Sequence, residues 1–206
     1  DKVPTPIEAM PRQVIYGRVA GVSAGSSWTT AVTDTPLANT LTIPTAGSVV
    51  SYGISTLYAG RLGTDQIQSA PMIVRYPDTA YQAHGNYGVN YDLTFPLYNP
   101  TSAPQTVTLT IETPIKEDSL TAAGLRFFEP LPSATFFRGP IQLRYQDDRG
   151  LPRIRNLHLV QKRGQRGTPL VEVTLQPQEQ RQIQLSLLYP PDSTPPQVVT
   201  LETRSR

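Results

Sequence analysis

The sequence predicts an all-β chain, an antiparallel β-sandwich (Ig-like or jelly-roll-like) of roughly ten to twelve strands with little or no helix. Three observations carry that expectation. Tyr87, Val89, Tyr91, Leu93, Phe95 and Leu97 occupy every second position, with Gly88, Asn90, Asp92, Thr94 and Pro96 between them. A period of two marks a strand with one buried face. The 21 prolines and 14 glycines punctuate short hydrophobic runs, which favours many strands joined by many turns. No stretch carries convincing helical periodicity, and the best candidate, residues 119–128, is short and contains Gly124.

Taken in order, residues 1–13 form a Pro-rich, extended lead-in. Strands are expected at 14–22 and 28–32, around Leu41 and Ile43, and at 48–58, where Val50, Tyr52, Ile54 and Tyr58 share a face. Pro71 interrupts the strand at 67–76 and makes it an edge or bulged one. The strongest strand, 87–97, is followed by the turn Asn99-Pro100-Thr101-Ser102-Ala103-Pro104 and then by alternation of Val107, Leu109 and Ile111 with threonines. Two such strands across a short loop predict an antiparallel hairpin with the odd-numbered residues buried. Ile141, Leu143 and Tyr145 lead into an Asp- and Gly-rich turn, with Leu157 and Leu159 on the return strand. Val171, Val173 and Leu175, then Ile183, Leu185 and Leu187, and finally Val199 and Leu201 mark the remaining strands. Residues 189–197 hold four prolines, so this segment crosses between sheets or runs along an edge and is not a central strand.

A chain of 206 residues suits one core, expected over 14–206 with a possible sub-boundary near 77–86. Charged residues make up only 17%, so the surface must be covered by Thr, Ser, Gln and Asn, as in many exported β proteins. The net charge of +2 is too small to imply nucleic acid. There is no cysteine, which removes disulfides, thiolate metal sites and Cys nucleophiles from consideration. No apolar run approaches the length of a membrane span. The chain opens at Asp1 without a signal peptide and is expected to be a processed or excised piece.

Four features invite a functional reading. Gly21-Val22-Ser23-Ala24-Gly25 matches the nucleophile elbow of hydrolases, but that motif needs a helix after it. The residues that follow predict a strand, so a small-residue turn is the simpler reading. His84 lies in a polar loop six residues after Asp78 and could serve as a general base, here as in the hydrolase reading of Ser23. No second ligand stands at metal spacing, so neither a metal nor a cofactor is expected. His158 sits between Leu157 and Leu159 and should face away from them. Arg149, Arg153, Arg155, Lys162, Arg163 and Arg166 form a stretch with no acid between its ends, and Gly164 and Gly167 make its last part a flexible loop. It could hold an anionic polysaccharide or lipid. Cations protecting an exposed sheet edge are the simpler reading. Without interleaved aromatics it does not suit nucleic acid. Among the tyrosines, Tyr76, Tyr81 and Tyr98 are left by strand alternation as candidate surface contacts, and Tyr81 with His84 joins the candidate ligand-binding set.

The phrases Arg75-Tyr76-Pro77-Asp78-Thr79-Ala80-Tyr81, His84-Gly85-Asn86-Tyr87-Gly88-Val89, Phe136-Phe137-Arg138-Gly139, His158-Leu159-Val160-Gln161 and Tyr189-Pro190-Pro191-Asp192 together carry a resemblance. The chain resembles a cyanobacterial domain-of-unknown-function family, number 3370, over nearly its whole length. The resemblance implies a cyanobacterial source, export, and a longer protein of which this chain is the C-terminal half. It transfers no activity and no catalytic residues. The expectation is therefore a non-enzymatic structural or protein-interaction module outside the cytoplasm. Its partner would be another protein or its own N-terminal half.

Overall fold

The computed structural model describes residues 20–23, 26–55, 70–77, 79, 81–83, 89–115, 124–189 and 197–204. The lead-in 1–13, most of 14–22, all of 190–196, and Tyr58, Asp78, His84 and Tyr87 lie outside them. The described strands are β1 (Gly21–Ser23), β2 (Ser26–Ala31), β3 (Leu41–Thr42), β4 (Val49–Ser55), β5 (Ala70–Arg75), β6 (Gln82–Ala83), β7 (Val89–Tyr98), β8 (Gln105–Glu112), β9 (Thr135–Gln146), β10 (Pro152–Lys162), β11 (Val171–Leu175), β12 (Gln180–Leu188) and β13 (Gln197–Thr203). No helix occurs among the described residues. Three sheets result: a six-stranded one ordered β10-β9-β12-β7-β2 with β3 also on β7, a four-stranded one ordered β11-β8-β13-β4, and a small one ordered β1-β5-β6.

The two larger sheets form a sandwich. Tyr91, Leu93, Phe95, Leu143, Ile183 and Leu185 from the first share one buried cluster with Leu109, Ile111, Val173 and Leu201 from the second. At one side the sheets are tied by Trp28 Nε1, which donates to the Tyr52 hydroxyl at 2.9 Å. Burial raises the Tyr52 phenol above its usual range, and the indole donor only partly offsets this.

The alternation in β7 and β8 sets their buried residues as expected. Val89, Tyr91, Leu93, Phe95 and Leu97 are buried, and so are Val107, Leu109 and Ile111. Their pairing differs from the expected hairpin. β7 pairs with β12, β2 and β3, while β8 pairs with β11 and β13 in the opposite sheet. The connection 99–104 is an arch that crosses the core, so the apolar faces of the two strands look at each other. Period two fixes which face is buried but does not choose the hydrogen-bonding partner.

A second arch, 176–179, carries the chain back from β11 to β12. The arches nest, with β7 beside β12 and β8 beside β11. Asn99 sits where they meet and is fully buried. Its Nδ2 donates to the carbonyls of Ala103 (2.9 Å), Gln176 (3.0 Å) and Leu175 (3.1 Å). Its Oδ1 accepts from the amide and hydroxyl of Thr101. Its backbone closes the second arch, donating to Glu179 O and accepting from Gln178 N. One side chain thus satisfies the polar backbone of both crossings.

Two further differences from a purely antiparallel sandwich have local causes. β2 and β3 run parallel to β7 as one interrupted edge strand. The excursion between them is closed by Asp34, whose carboxylate accepts from Thr42 N (2.9 Å) and Thr42 Oγ1 (2.7 Å). Thr94 O and Tyr98 O both point towards this edge, accepting from Val32 N and Ile43 N. Pro96, two residues from each, therefore turns its donor-less nitrogen into the gap between β2 and β3, where no ladder bond is lost. In the small sheet, β5 lies centrally rather than at an edge. Its irregularity is a bulge, since Val22 pairs with Val74 but Ser23 with Met72.

The β9–β10 hairpin forms as the sequence predicts, with Pro152 opposite Gln146 through to Gln161 opposite Phe137. Asp147 organises its turn, accepting from Arg149 N and Leu151 N (both 3.0 Å) and from Arg153 Nε (2.7 Å). The Leu151 amide does most to hold this carboxyl below the usual carboxylate range; desolvation opposes it, and Arg153 and the Arg149 amide add to the lowering. Arg181 ties the same turn to the second arch through Asp148 and Glu179.

Candidate functional site

The basic stretch does not form one patch. β10 is eleven residues long, so its ends lie about 35 Å apart. Arg149 stands in the turn at one end, and Lys162 and Arg163 stand at the other. Arg153 forms an ion pair with Asp147, and Arg155 donates to the Leu170 carbonyl. The Arg166 guanidinium lies 4.8 Å from the centre of the Phe127 ring. Three of the six cations are thus engaged within the chain, and Arg155 is aimed inward from an edge strand, a feature that blocks sheet extension. The loop 163–167 is packed rather than free. A Cβ on Gly164 would lie 2.1 Å from Phe128 Cδ2, and one on Gly167 would lie 2.2 Å from Ile111 O. Glycine is present because backbone and neighbour approach too closely for a side chain.

The other singled-out residues are scattered. Tyr81 is half-buried, and Arg75 stacks on it with its guanidinium carbon 3.7 Å from the ring centre. The same guanidinium caps the turn after β5 by donating to Tyr76 O (3.1 Å), Pro77 O (3.2 Å) and Thr79 O (2.9 Å). Tyr76 is exposed, and the Tyr98 hydroxyl donates to Gln178 Oε1. Ser23 lies on β1, and the residues from Ser26 form β2, so the segment after it is a strand, not the helix of a nucleophile elbow. His158 is exposed on the outer face of β10, away from Leu157 and Leu159. No group of three or more His, Cys, Asp or Glu that could hold a metal occurs among the described residues.

Sequence reasoning missed two surfaces. The first is the small sheet, where Val22, Ile73, Val74 and Tyr76 are all exposed. The second emerges from comparing the two outer faces of the sandwich. On the four-stranded sheet the outward positions around Thr110 and Glu112 are covered, while Val49, Ser51, Glu172 and Glu202 are exposed. Thr108, Thr110, Val198 and Thr200 are buried, and Glu112 there accepts from Thr200 Oγ1 (2.8 Å) and Gly167 N (3.3 Å). The threonines of β8, on the side away from the core, are therefore themselves buried under a polar cover. On the six-stranded sheet the outward positions are open, with Ile154, Val160 and Leu188 exposed, and Leu188 lines a shallow groove.

Among the described residues no helix is long and apolar enough to cross a membrane. Fold and surfaces together define a two-sheet β-sandwich with an appended three-stranded sheet and open outer positions on the six-stranded face. The chain belongs to the family described as "Protein of unknown function (DUF3370)", whose model matches residues 1–203. No curated protein matches it.

Proposed function

We propose that the chain is a non-enzymatic protein-interaction module whose partner-binding surface is the three-stranded sheet. The observation that carries this reading is the pair Ile73 and Val74. Ile73 is the extra residue of the bulge and Val74 its neighbour, and the two are 68% and 62% exposed. A sheet of three short strands that leaves its apolar side chains uncovered gains little from standing alone. Contiguous exposed apolar groups of this kind mark association surfaces. The Arg75 cap and the Tyr81 stack hold the sheet's turn in shape, so the surface is preformed. Placement outside the cytoplasm belongs to the same proposal, supported by the low charge content of 17%.

The test compares the wild-type chain with an Ile73→Ser, Val74→Ser double variant as bait in extract from the native source. The variant is expected to lose its retained protein partner while the Trp28 fluorescence unfolding transition stays in place. An unchanged set of retained proteins would refute the assignment. A second reading, polyanion binding, is favoured by Lys162 and Arg163, which are exposed and form no ion pair among the described residues. It would appear instead as retention that fails at high salt and depends on Arg163 rather than Ile73.

A further inference from the structure

The open outer face of the six-stranded sheet carries a surface of different chemistry, independent of the small sheet. Asn156, Gln142, Ser186, Asp92 and Thr29 stand in cross-strand register on five adjacent strands. At the usual interstrand spacing this polar row is about 19 Å long. Gln142 Nε2 donates to Asn156 Oδ1 at 2.9 Å, and Ser186 Oγ donates to Asp92 Oδ1. The neighbouring row pairs His158 with Pro140 and Leu188 with Asn90. Between the rows runs a groove of about 310 Å³, and no residue that lines it is charged.

We propose that this groove is a binding subsite for a neutral oligosaccharide. A pyranose ring offers a C–H face and a rim of hydroxyls that both donate and accept. The groove matches both parts. Pro140 and Leu188 supply the apolar shelf, and the amides of Asn90, Gln142 and Asn156 can donate and accept. Asn156 Nδ2, Gln142 Oε1 and the Asn90 amide have no protein partner among the described residues, so they are available to a ligand. The uncharged lining disfavours an anionic ligand. A peptide is disfavoured for a different reason. β9, β12 and β7 are interior strands whose backbones are paired on both sides, so they present no open edge for strand addition. The volume lies at the small end of ligand sites and suits a short run of sugar rings, held on a shallow face with modest affinity.

The experiment is an amide NMR titration of the whole chain with cellotetraose, maltotetraose and laminaritetraose, each taken to ~10 mM to reach weak sites. At least one is expected to shift the signals of Asn90, Gln142, Asn156, Ser186 and Leu188 as a group, including side-chain amides. A Gln142→Ala, Asn156→Ala variant should then bind at least about tenfold more weakly. The neighbouring Arg144→Ala variant should bind as wild type. Both substitutions lie on a solvent-facing sheet surface, and Trp28 fluorescence checks that each variant is folded. Absence of shifts at these residues with all three sugars would overturn the proposal. So would shifts that persist unchanged in the double variant, or displacement of the sugar by a neutral peptide that binds the groove more tightly.

Discussion

Asn99→Ala is expected to lower the unfolding free energy by about 2–4 kcal/mol, because buried carbonyls of both arches lose their donor together. Asn99→Asp keeps the shape but replaces the donor with a carboxylate facing the carbonyls of Ala103, Leu175 and Gln176. That environment raises the folded-state pKa of the new carboxyl above its unfolded value of about 3.9. The unfolded chain then loses its proton first, so stability falls as pH rises through this interval. Asn99→Asp should therefore be closer to wild type at pH ~4 than at pH ~7. Urea unfolding followed by the fluorescence of Trp28, the single tryptophan, measures both variants. Equal stability of Asn99→Ala and wild type would remove Asn99 from its role at the arches.

Phe95→Ala should cost about 3–5 kcal/mol, since a fully buried aromatic is removed from between two sheets that cannot close the gap. Phe95 is 1% exposed and shares its cluster with side chains of both sheets. Its neighbour Thr94 points to the open outer face and is only partly buried, so Thr94→Ala should change stability by no more than about 0.5 kcal/mol. Thermal or urea unfolding of the pair reads the contrast directly. Similar losses at both positions would mean that the outer face is covered in solution.

The local parts of this fold were legible in the sequence. Alternation identified the buried sides of β7, β11 and β12, and the Asp147 to Gly150 turn announced the β9–β10 hairpin. Pairing was not legible, because the face a strand buries is a local property while its neighbour is chosen by the whole chain. The same polar segment at 99–104 can close a hairpin or an arch. What decides is the buried side chain of Asn99, which bonds to residues more than seventy positions away. The basic stretch misled for a related reason. An extended strand spreads residues that are close in sequence over tens of ångströms, and three of these cations find partners within the chain, so they are not a patch. The polar row of Asn156, Gln142, Ser186 and Asp92 shows the converse. Its members come from four separate strands and only register brings them into line.

The family expectation is met by the match over residues 1–203, whereas the exposed pair Ile73 and Val74 gave no warning. Two adjacent apolar residues in a strand read as a normal core segment. Their exposure goes with the bulge in β5, which breaks the alternation just where the two residues stand.

The central structural claim is that consecutive strands β7 and β8 lie in opposite sheets, which creates both the core and the two unlike outer faces. Backbone proton NOEs on isotope-labelled protein test it most directly. The arch topology predicts cross-strand backbone contacts for Leu93 with Leu185 and for Leu109 with Leu201, with none between the backbones of β7 and β8. A ladder of backbone contacts running from Leu97 and Phe95 to Val107 and Leu109 would contradict it and restore the hairpin.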